Sequence, residues 1–425
     1  MSQKQEIQSQ SEEKRLENIM KEHPFPRAWK WMKLGEVCVV TKNRDPRITP
    51  DLPFRYVDIS SVNNRLKRIT DTRTILGKDA PSRARQIIKA NDVIVSMTRP
   101  NLNAVALVPE DLNNEICSTG FCVLRPTEFI DALFLFEFVQ SKYFIETVSG
   151  KVRGMLYPAI TDNQVREVNI PIPPLPEQKK IAIKTQELIQ TVENARIACE
   201  KQLEAAKALP SAYLREVFES EEAKKWERKR LGEVLLTSPQ YGLTAMADKF
   251  EKDYIYIRIT DITDNGKIKT GDLRFIELEK ETFEKYRVCN GDILIARSGS
   301  VGRIYLVKEY DLLKPAVFAS YLIRFKLNSD TILPQYFFYF GLSDPYKNFI
   351  SDQIKTVAQP NINAKQYQNL QIPLPPLGTQ RHIVNYLKEK MAYVENLQSA
   401  ICSWQSAIET LPQAILRKAF KGELW

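Results

Sequence analysis

Arginine, asparagine, glutamine and tyrosine side chains recur in three polar loops in each half of this 425-residue sequence. Arginine can form two parallel hydrogen bonds with guanine, asparagine and glutamine can do the same with adenine, and lysine and hydroxyl groups reach phosphate oxygens. This inventory suits the recognition of DNA by hydrogen bonding. The same residue types are common in ordinary turns, so each of them has a structural interpretation as well.

The three loops follow an opening strand, leave a central strand, and precede a proline-rich segment. In the first half, the candidate DNA-binding residues are Lys42, Asn43, Arg44, Arg47, Arg99, Asn101, Asn103, Tyr157, Thr161 and Asn163. In the second half, they are Gln240, Tyr241, Arg297, Ser298, Ser300, Arg303, Gln359, Asn361 and Asn363. The turn at Gly299 and Gly302 can expose backbone N–H groups to a phosphate. For Arg55 and Arg258, which lie in predicted strands, contact with DNA and pairing with a carboxylate are both open.

Side chains for covalent catalysis or metal binding are scarce. The two histidines, His23 and His382, lie in a polar N-terminal segment and in a predicted helix, and neither recurs with a nucleophile or metal-binding partner. The sequence has no GxxxxGK[ST] phosphate loop, no glycine-rich S-adenosylmethionine loop and no Asn/Asp-Pro-Pro-Tyr/Phe motif. Asp92 and Asp292 lack the nearby Glu-x-Lys of a nuclease, which favours a structural role. We therefore predict no catalytic residue and no metal site; a methyltransferase or nuclease with unrecognised motifs is the alternative.

The loops lie within an internal duplication. Residues 170–178 read IPIPPLPEQ and residues 372–380 read IPLPPLGTQ, a shift of 202 positions. Further matches follow in the same order, from LGEV at residues 34–37 and 231–234 to LR at residues 214–215 and 416–417. The spacing is far longer than the repeats of about 20–50 residues in solenoids. The chain is therefore predicted to contain two similar lobes in series.

Each lobe is predicted to begin with an α+β region. Short β-rich runs alternate with loops rich in glycine, proline and asparagine. Residues 131–147 and 333–351 each read as one helix whose aromatic side chains are spaced for a core. The predicted core aromatics are Phe134, Phe138, Phe337 and Tyr339.

Each lobe ends in a long helical pattern with few breakers. Leu387, Val394, Ile401 and Ile408 recur every seven residues, which is typical of a coiled-coil seam. The predicted seam residues are Ile181, Leu188, Val192, Leu387, Val394, Ile401, Trp404 and Ile408. We expect the two helices to pack on each other and run antiparallel; the alternative is that each helix covers its own lobe. Pro210 and Pro412 are predicted to kink or restart them.

The charge is unevenly distributed between the lobes. The formal net charge is +9, and residues 42–99 hold 13 basic and 6 acidic residues, whereas residues 238–303 hold 11 of each. A basic surface attracts polyphosphate, although a solvated charged face explains the same composition. The six cysteines include no CxxC pair and read as reduced, mostly buried residues. No membrane helix or signal peptide is predicted, so a cytoplasmic location is expected.

The order of these features resembles the specificity (S) subunit of type I restriction–modification enzymes. The repeated Pro-Pro-Leu-x-x-Gln before a helix and the sequence GDILIARSGSVGR at residues 291–303 carry the resemblance, which spans residues 29–425. It implies a pseudo-two-fold α+β fold with two target-recognition domains separated by two long antiparallel coiled-coil helices. Each domain would read one half of a bipartite, asymmetric DNA site.

The resemblance also implies partners. Two adenine-methylating modification subunits would dock on the helices, and restriction/translocase subunits would join them. No cofactor is expected on this chain, and S-adenosylmethionine is expected on the modification subunit. The implied division is an N-terminal tail at residues 1–23, recognition domains at 24–175 and 222–376, and spacer helices at 176–221 and 377–425.

The first lobe departs from the second at the strand-exit loop. Residues 91–103 read NDVIVSMTRPNLN, so the glycines of residues 291–303 are missing. We therefore expect a different loop geometry and a different half-site in the first lobe. A scaffold with two heads that bind other proteins is a further alternative, in which the basic charge is incidental.

Overall fold

The computed structural model describes residues 26, 29–150, 158–309, 311–354 and 360–424. Two compact units are present: unit 1 combines the chain up to Cys199 with the chain from Trp404, and unit 2 comprises Glu200–Ser403. Each unit therefore contains one α+β head and parts of both long helices. We call residues 29–174 head 1 and residues 223–376 head 2. Within the described residues, no helix is long and apolar enough to cross a membrane.

Head 1 is built from short strands in several small sheets. The strands are β1 (Lys30–Lys33), β2 (Cys38–Val39), β3 (Pro53–Val57), β4 (Val62–Asn63), β5 (Arg68–Ile69), β6 (Arg73–Leu76), β7 (Ala84–Ile87), β8 (Val93–Ser96), β9 (Val105–Leu107), β10 (Ile116–Ser118), β11 (Phe121–Pro126) and β12 (Asn169–Ile172). The sheet orders are β6-β3-β10-β7, β2-β11-β8-β9, β4-β5 and β1-β12. Because β1 and β12 pair antiparallel, the head begins and ends at the same place.

Head 2 repeats this plan. Its strands are β13 (Arg228–Arg230), β14 (Gln240–Tyr241), β15 (Tyr254–Ile257), β16 (Arg274–Ile276), β17 (Ile293–Ala296), β18 (Ile304–Leu306), β19 (Ala316–Phe318), β20 (Leu322–Phe325) and β21 (Gln371–Pro373). The order β14-β20-β17-β18 matches β2-β11-β8-β9, and β13-β21 matches β1-β12. The parallel pair β15–β19 matches the parallel pair β3–β10. The duplication therefore extends to strand order and direction.

The short helices of the heads lie around the sheets. They are α1 (Leu34–Val37), α2 (Ala132–Gln140), α3 (Lys142–Ser149) and α4 (Asp162–Arg166) in head 1, and α6 (Lys280–Tyr286), α7 (Pro334–Phe340), α8 (Asp344–Ile354) and α9 (Ala364–Gln368) in head 2. The prediction of one helix at 131–147 and one at 333–351 is wrong, because each segment forms two helices. Ser141 caps the N-terminus of α3 with its side chain, in extended backbone conformation, and so separates α2 from α3.

Two long helices leave the heads. These are α5 (Leu175–Phe218, 44 residues) and α10 (Leu377–Lys421, 45 residues). The expected restart at the prolines is wrong, since Pro210 and Pro412 lie inside continuous helices. Proline removes one helical hydrogen bond. Buried residues on either side, Ala206 and Leu214, hold α5 against its neighbours across this point.

Within each unit the two long helices run antiparallel. In unit 2, the Tyr386 hydroxyl donates to Glu216 Oε2 (2.9 Å), and Gln398 Nε2 donates to the carbonyl oxygen of Ala206 (3.2 Å). The residue numbers of the contacts thus rise along α10 as they fall along α5. In unit 1, Ile181 of α5 shares a core with Phe420 near the end of α10. The predicted antiparallel arrangement is confirmed.

The predicted seam residues differ in burial. Ile181, Leu387, Val394 and Ile401 are buried, and Leu188, Val192 and Ile408 are half-buried. Trp404, in contrast, is 53% exposed, so the structure does not place it in a seam. A heptad repeat drifts by about 20° per heptad on a straight helix, which turns some predicted positions toward solvent.

Aromatic side chains join the ends of the long helices to the heads. Phe420 of α10 packs on Phe134 and Phe138, with ring centroids 5.3 and 5.7 Å apart. Phe218 of α5 packs in the same way on Tyr336 and Phe340 of head 2, at 5.6 and 5.5 Å. The aromatic residues predicted as core are buried or half-buried. Two of them, Phe134 and Phe138, also anchor the helix that arrives from the other half of the sequence.

The repeated glutamine of the proline-rich motif attaches each head to its outgoing helix. Gln178 is buried, accepts a hydrogen bond from the Asp131 N–H (2.8 Å), and donates to the carbonyl oxygens of Phe129 and Pro173. Gln380 makes the equivalent set with Leu333, Thr331 and Pro375. This role explains why the glutamine accompanies the prolines in both copies.

Candidate nucleic-acid interface

The strand-exit loops of the two heads can be matched through their backbone hydrogen bonds. In head 2, the Arg297 N–H donates to Tyr321 O (2.9 Å), and the Ile362 N–H donates to Arg297 O (2.9 Å). In head 1, the same two bonds are made by Met97, with Gly120 (2.9 Å) and Ile160 (3.0 Å). The head 1 equivalent of Arg297 is therefore Met97. The alignment of residues 91–103 with residues 291–303 gives the same match.

The left-handed positions of the head 2 loop are kept in head 1 without glycine. Arg99 and Asn103 adopt left-handed φ values of 48° and 47°, where head 2 has Gly299 (68°) and Gly302 (83°). The loops differ between these positions, because head 1 has one more residue there and forms a short 3-10 helix at Pro100–Leu102. The expected difference in loop geometry is confirmed in this respect. Hydrogen bonds from surrounding strands impose the conformation on residues that adopt it at a cost.

The three loops of head 2 meet at one place. The guanidinium of Arg297 lies over the ring of Tyr241, 4.8 Å from its centroid, and Arg297 Nε donates to Asn361 Oδ1 (3.3 Å). The Tyr241 hydroxyl accepts a hydrogen bond from the Ala364 N–H (3.0 Å). Ser298 and Asn361 also form a β-bridge. We call Tyr241, Arg297 and Asn361 the head 2 cluster.

Among the residues of head 1 that the structure describes, two of the three loops are joined in this way. The Arg99 N–H donates to Pro158 O (2.8 Å), and Thr98 forms a β-bridge with Ala159. Ala159 therefore takes the position of Asn361. The first loop pairs elsewhere, through the bridge between Asn43 and Gln86. The framework is shared, but the side chains of the head 2 cluster have no counterparts at the matched positions 97 and 159.

Several predicted residues lie at the surface of these loops. Lys42, Asn43, Arg44, Arg99 and Asn101 are exposed in head 1. Arg47 is also exposed, but its guanidinium makes two hydrogen bonds with Asp45, each 3.1 Å. This contact with Arg47, together with Arg85, holds the pKa of Asp45 well below its usual range. In head 2, Ser300 is exposed and Ser298 is half-buried.

Two residues that were predicted to contact DNA, Asn103 and Gln240, make side-chain hydrogen bonds within their own heads. Asn103 is 6% exposed, and its Nδ2 donates to Val139 O (2.8 Å). Lys67 Nζ donates to both the main-chain and the side-chain oxygen of Asn103, and burial lowers the pKa of Lys67 to about 8. Gln240 uses its amide to bind Lys285 O (3.0 Å) and its oxygen to accept from Arg324.

Three further predicted residues have structural partners. The Arg303 side chain, 20% exposed, pairs with Asp264 of the neighbouring hairpin. Thr161 and Asn363 cap helices α4 and α9 by accepting from the N–H of Gln164 and Gln366. The Thr161 hydroxyl also contacts Gln164 Oε1, so both its donor and its acceptor are used within the cap. Asn163, inside α4, is exposed. Tyr157 and Gln359 lie outside the described residues.

The remaining open cases concern arginines and aspartates of the strands. Arg55 pairs with Asp111 (2.6 Å) and Arg258 pairs with Asp261 (2.5 Å), so both bind carboxylates. Asp92 makes two hydrogen bonds with Arg125, of 2.8 and 2.7 Å, and thereby has a structural partner. Within the described residues, no group of three or more His, Cys, Asp or Glu side chains is placed to hold a metal ion.

Sequence reasoning missed Tyr321. Its side chain is 62% exposed, and its carbonyl oxygen accepts from Arg297, so it borders the head 2 cluster. The available signal was a tyrosine directly before the LIRF strand, where the first lobe has Gly120. Sequence alignment alone does not show that this turn lies beside the strand-exit loop.

Comparison with known proteins identifies the family. A family model described as the type I restriction modification DNA specificity domain matches residues 26–205 and again residues 223–399. The chain belongs to this family. The two matches coincide with the two halves of the duplication, as the resemblance implied.

Members of the type I specificity family resemble this chain over most of its length. The EcoKI specificity subunit of Escherichia coli strain K12 is 28% identical over 358 residues, 80% of this chain and 76% of that subunit. The HsdS subunit of Thermoanaerobacter tengcongensis has a solved structure that is 34% identical, with a TM-score of 0.69, covering 94% of this chain and 98% of that one. A chain from a structural study of type I R-M complex assembly and conformational transition is 32% identical, with a TM-score of 0.77, covering 94% and 99%.

As a type I specificity protein, the chain is the DNA sequence-recognition subunit of a restriction–modification system and has a non-catalytic role. The mixed helix and sheet fold with two long helices agrees with its structural neighbours. Specificity subunits of this type are parts of larger assemblies, as the study of complex assembly indicates for that system.

Proposed function

We propose that each head reads one half of a bipartite, asymmetric double-stranded DNA site, and that the long helices set the unread spacer. The observation that carries this proposal is the contrast between matched positions of the two heads. The backbone hydrogen bonds around residues 97 and 297 are the same, but the side chains are methionine and arginine. One framework with different side chains at its edge suits two half-sites of different sequence.

The helices also suit the docking of partners. We infer that two methyltransferase (modification) subunits bind them, that restriction/translocase subunits join the assembly, and that S-adenosylmethionine binds the modification subunits. Apolar side chains on both long helices support this inference, since Ile183 and Tyr393 are exposed there. DNA in the cytoplasm would be the substrate of the assembly.

Exchange of one head tests the proposal. Residues 42–163 are replaced by the equivalent segment of a related specificity subunit, and methylated adenines are mapped in cells that express the chain with its modification partner. One half of the methylated site should change and the other half should remain. The matched control replaces residues 238–363, which should change the opposite half. A change in both halves after either exchange contradicts modular reading.

Helix length provides a second test. Two heptads are inserted in α5 between residues 195 and 206, with a matched insertion in α10 to preserve the antiparallel pairing. The preferred spacer should lengthen, or binding should be lost, because each added base pair rotates a half-site by about a tenth of a turn. Spacer preference is measured with oligonucleotides that differ only in spacer length. An unchanged preference contradicts a spacer set by the helices.

A further inference from the structure

The backbone of Arg297 is fixed on both sides. Its N–H donates to Tyr321 O and its carbonyl oxygen accepts from the Ile362 N–H, each at 2.9 Å. Its Cα therefore cannot shift without breaking contacts to two other segments of head 2. A side chain used for sequence readout needs such a fixed origin, because an error of 1 Å is enough to lose a directional hydrogen bond.

The side chain of Arg297 is held as well. Its guanidinium packs on Tyr241 at 4.8 Å from the ring centroid, and its Nε donates to Asn361 Oδ1 at 3.3 Å. Tyr241 is itself held, since its hydroxyl accepts from the Ala364 N–H and its backbone pairs with Ile323 in β14 and β20. The Arg297 side chain is therefore already partly ordered in the free protein, and it loses less conformational entropy when a ligand binds.

The terminal nitrogens of Arg297 remain available. In the parts of head 2 that the structure describes, they make no hydrogen bond or ion pair, although Arg297 is half-buried. Other arginines of the same head use theirs internally: Arg258 with Asp261, Arg303 with Asp264, and Arg324 with Arg287 O. Arg297 therefore combines an ordered stem with an unoccupied fork of two donors.

We propose that Arg297 is a specificity-determining residue that reads a guanine in the half-site of head 2. The two terminal nitrogens match the O6 and N7 acceptors that guanine presents in the major groove. Tyr241 and Asn361 are positioning residues that hold the fork. This inference rests on the proposed function of head 2 as a DNA reader.

The matched position in head 1 argues for a role in discrimination. Met97 has no hydrogen-bond donor on its side chain, and Ala159 replaces Asn361 beside it. A contact that served both heads equally, such as a phosphate clamp required by the fold, would be retained at both positions. The loss of the whole arrangement in head 1 fits a residue whose task differs between half-sites.

The test uses the assembled complex of the chain with its modification partner. Arg297→Lys and Arg297→Met are compared with the unaltered chain on DNA libraries randomised across the head 2 half-site. Preference for guanine at one base-pair position should fall by about 5- to 150-fold, with little change at the other positions or in the head 1 half-site. Methionine occupies the matched backbone position in head 1, so Arg297→Met is compatible with the loop.

Two controls separate positioning from folding. Tyr241→Phe keeps the ring under the guanidinium and should reduce the same preference by less than Arg297→Lys does. Asn361→Ala, which reproduces the residue at position 159, should weaken guanine preference while thermal unfolding of the complex stays unchanged. Equal weakening of both Tyr241 and Asn361 variants on every sequence would point to loss of the surface as a whole and overturns the proposal.

The outcomes distinguish this inference from the proposed function. If Arg297→Lys weakens binding equally for all sequences, Arg297 contacts phosphate, and the guanine assignment is overturned. If neither Arg297 variant alters the half-site although the exchange of residues 238–363 does, the inference fails and head 2 remains the reader. If that exchange itself leaves the half-site unchanged, the proposed function fails.

Discussion

Heads 1 and 2 share four left-handed turn positions but make opposite use of glycine there. Within the described residues, every left-handed position of head 1 holds a residue other than glycine, and every one of head 2 holds glycine. The matched pairs are Lys67 and Gly266, Asn91 and Gly291, Arg99 and Gly299, and Asn103 and Gly302. A left-handed residue with a Cβ costs roughly 1–2 kcal/mol, and less for asparagine. The surrounding structure therefore sets the turn conformation, and a residue with a Cβ adopts it at a cost in conformational energy.

The side chains of head 1 offset that cost to different extents. Lys67 and Asn103 bond to each other, and Asn103 also bonds to Val139 O. Arg99 has no side-chain hydrogen bond within the described part of the chain, and it is exposed. An uncompensated left-handed arginine at the surface is typical of a residue retained for binding. The contrast between the heads thus separates left-handed residues whose side chains have partners within head 1 from Arg99, which stays a predicted DNA contact.

The largest expected difference between the heads is in the loss of stability when the aspartate of a buried ion pair is replaced. Asp92 bonds twice to Arg125, whereas Asp292 approaches Arg324 only at 3.5 Å. Asp92→Asn should lower the free energy of unfolding by about 3 kcal/mol, because it leaves Arg125 without its counter-charge. Asp292→Asn should lower the free energy of unfolding by less than half of that amount.

The smaller loss of stability expected for Asp292→Asn follows from the raised pKa of Asp292. Burial raises the pKa of Asp292, so the folded state disfavours the ionised form and a neutral amide resembles the protonated one. For that group, stability rises as the pH falls from its raised folded pKa toward its unfolded value. Urea unfolding of the two variants at neutral pH checks the prediction; a cost at Asp292 equal to that at Asp92 contradicts it.

A smaller effect is expected at the glycines of head 2. A Cβ at Gly302 would lie 2.8 Å from Ile350 Cγ1, while a Cβ at Gly299 would meet nothing within 4 Å. Gly302→Ala should therefore destabilise by roughly 2–4 kcal/mol from steric overlap and backbone strain, and Gly299→Ala by about 1 kcal/mol from strain alone. Thermal unfolding of the two variants measures the gap, and equal values would show that Ile350 yields to the added methyl group.

The smallest expected change in stability is at Arg99. Arg99→Gly should raise the free energy of unfolding by about 0.5 kcal/mol, since relief of the left-handed strain exceeds the extra freedom of glycine in the unfolded chain. The same variant should weaken binding to the DNA site if Arg99 contacts it. Chemical unfolding and DNA titration on one preparation give both values. A loss of stability would show that the arginine side chain holds the loop.

The sequence predicts the architecture more completely than the side-chain contacts. The order IPxPPLxxQ and then a heptad pattern predicted an α+β head followed by a long helix, twice, and predicted that the helices run antiparallel. Residues 131–147 were read as one helix because their aromatic spacing continues across Ser141. The prediction that Pro210 and Pro412 kink or restart the helices weighs the cost of proline without the packing on either side of it.

The sequence predicted which segments form the candidate site, including Tyr241, Arg297 and Asn361, but it did not show which of the other polar side chains have partners within the protein. All three loops of head 2 do meet, but Gln240 and Arg303 are bonded to internal partners that lie 84 and 39 residues away in the sequence. Asn103 was chosen as a polar loop residue, yet its partner Val139 belongs to α2. Side-chain partners at such separations follow from the packed structure and leave no local pattern in the sequence.

The amino-acid sequence by itself determined the duplication, the alternation of α+β heads with long helices, and the reading-type character of the loops, because periodicity and composition are local properties. Tertiary structure decided that the three loops of head 2 meet, that Tyr241 and Asn361 hold Arg297, and which polar residues face inward. These depend on hydrogen bonds between strands and turns that are distant along the chain. The backbone fixes where a side chain starts, and only its neighbours in space decide whether its donors remain available for DNA.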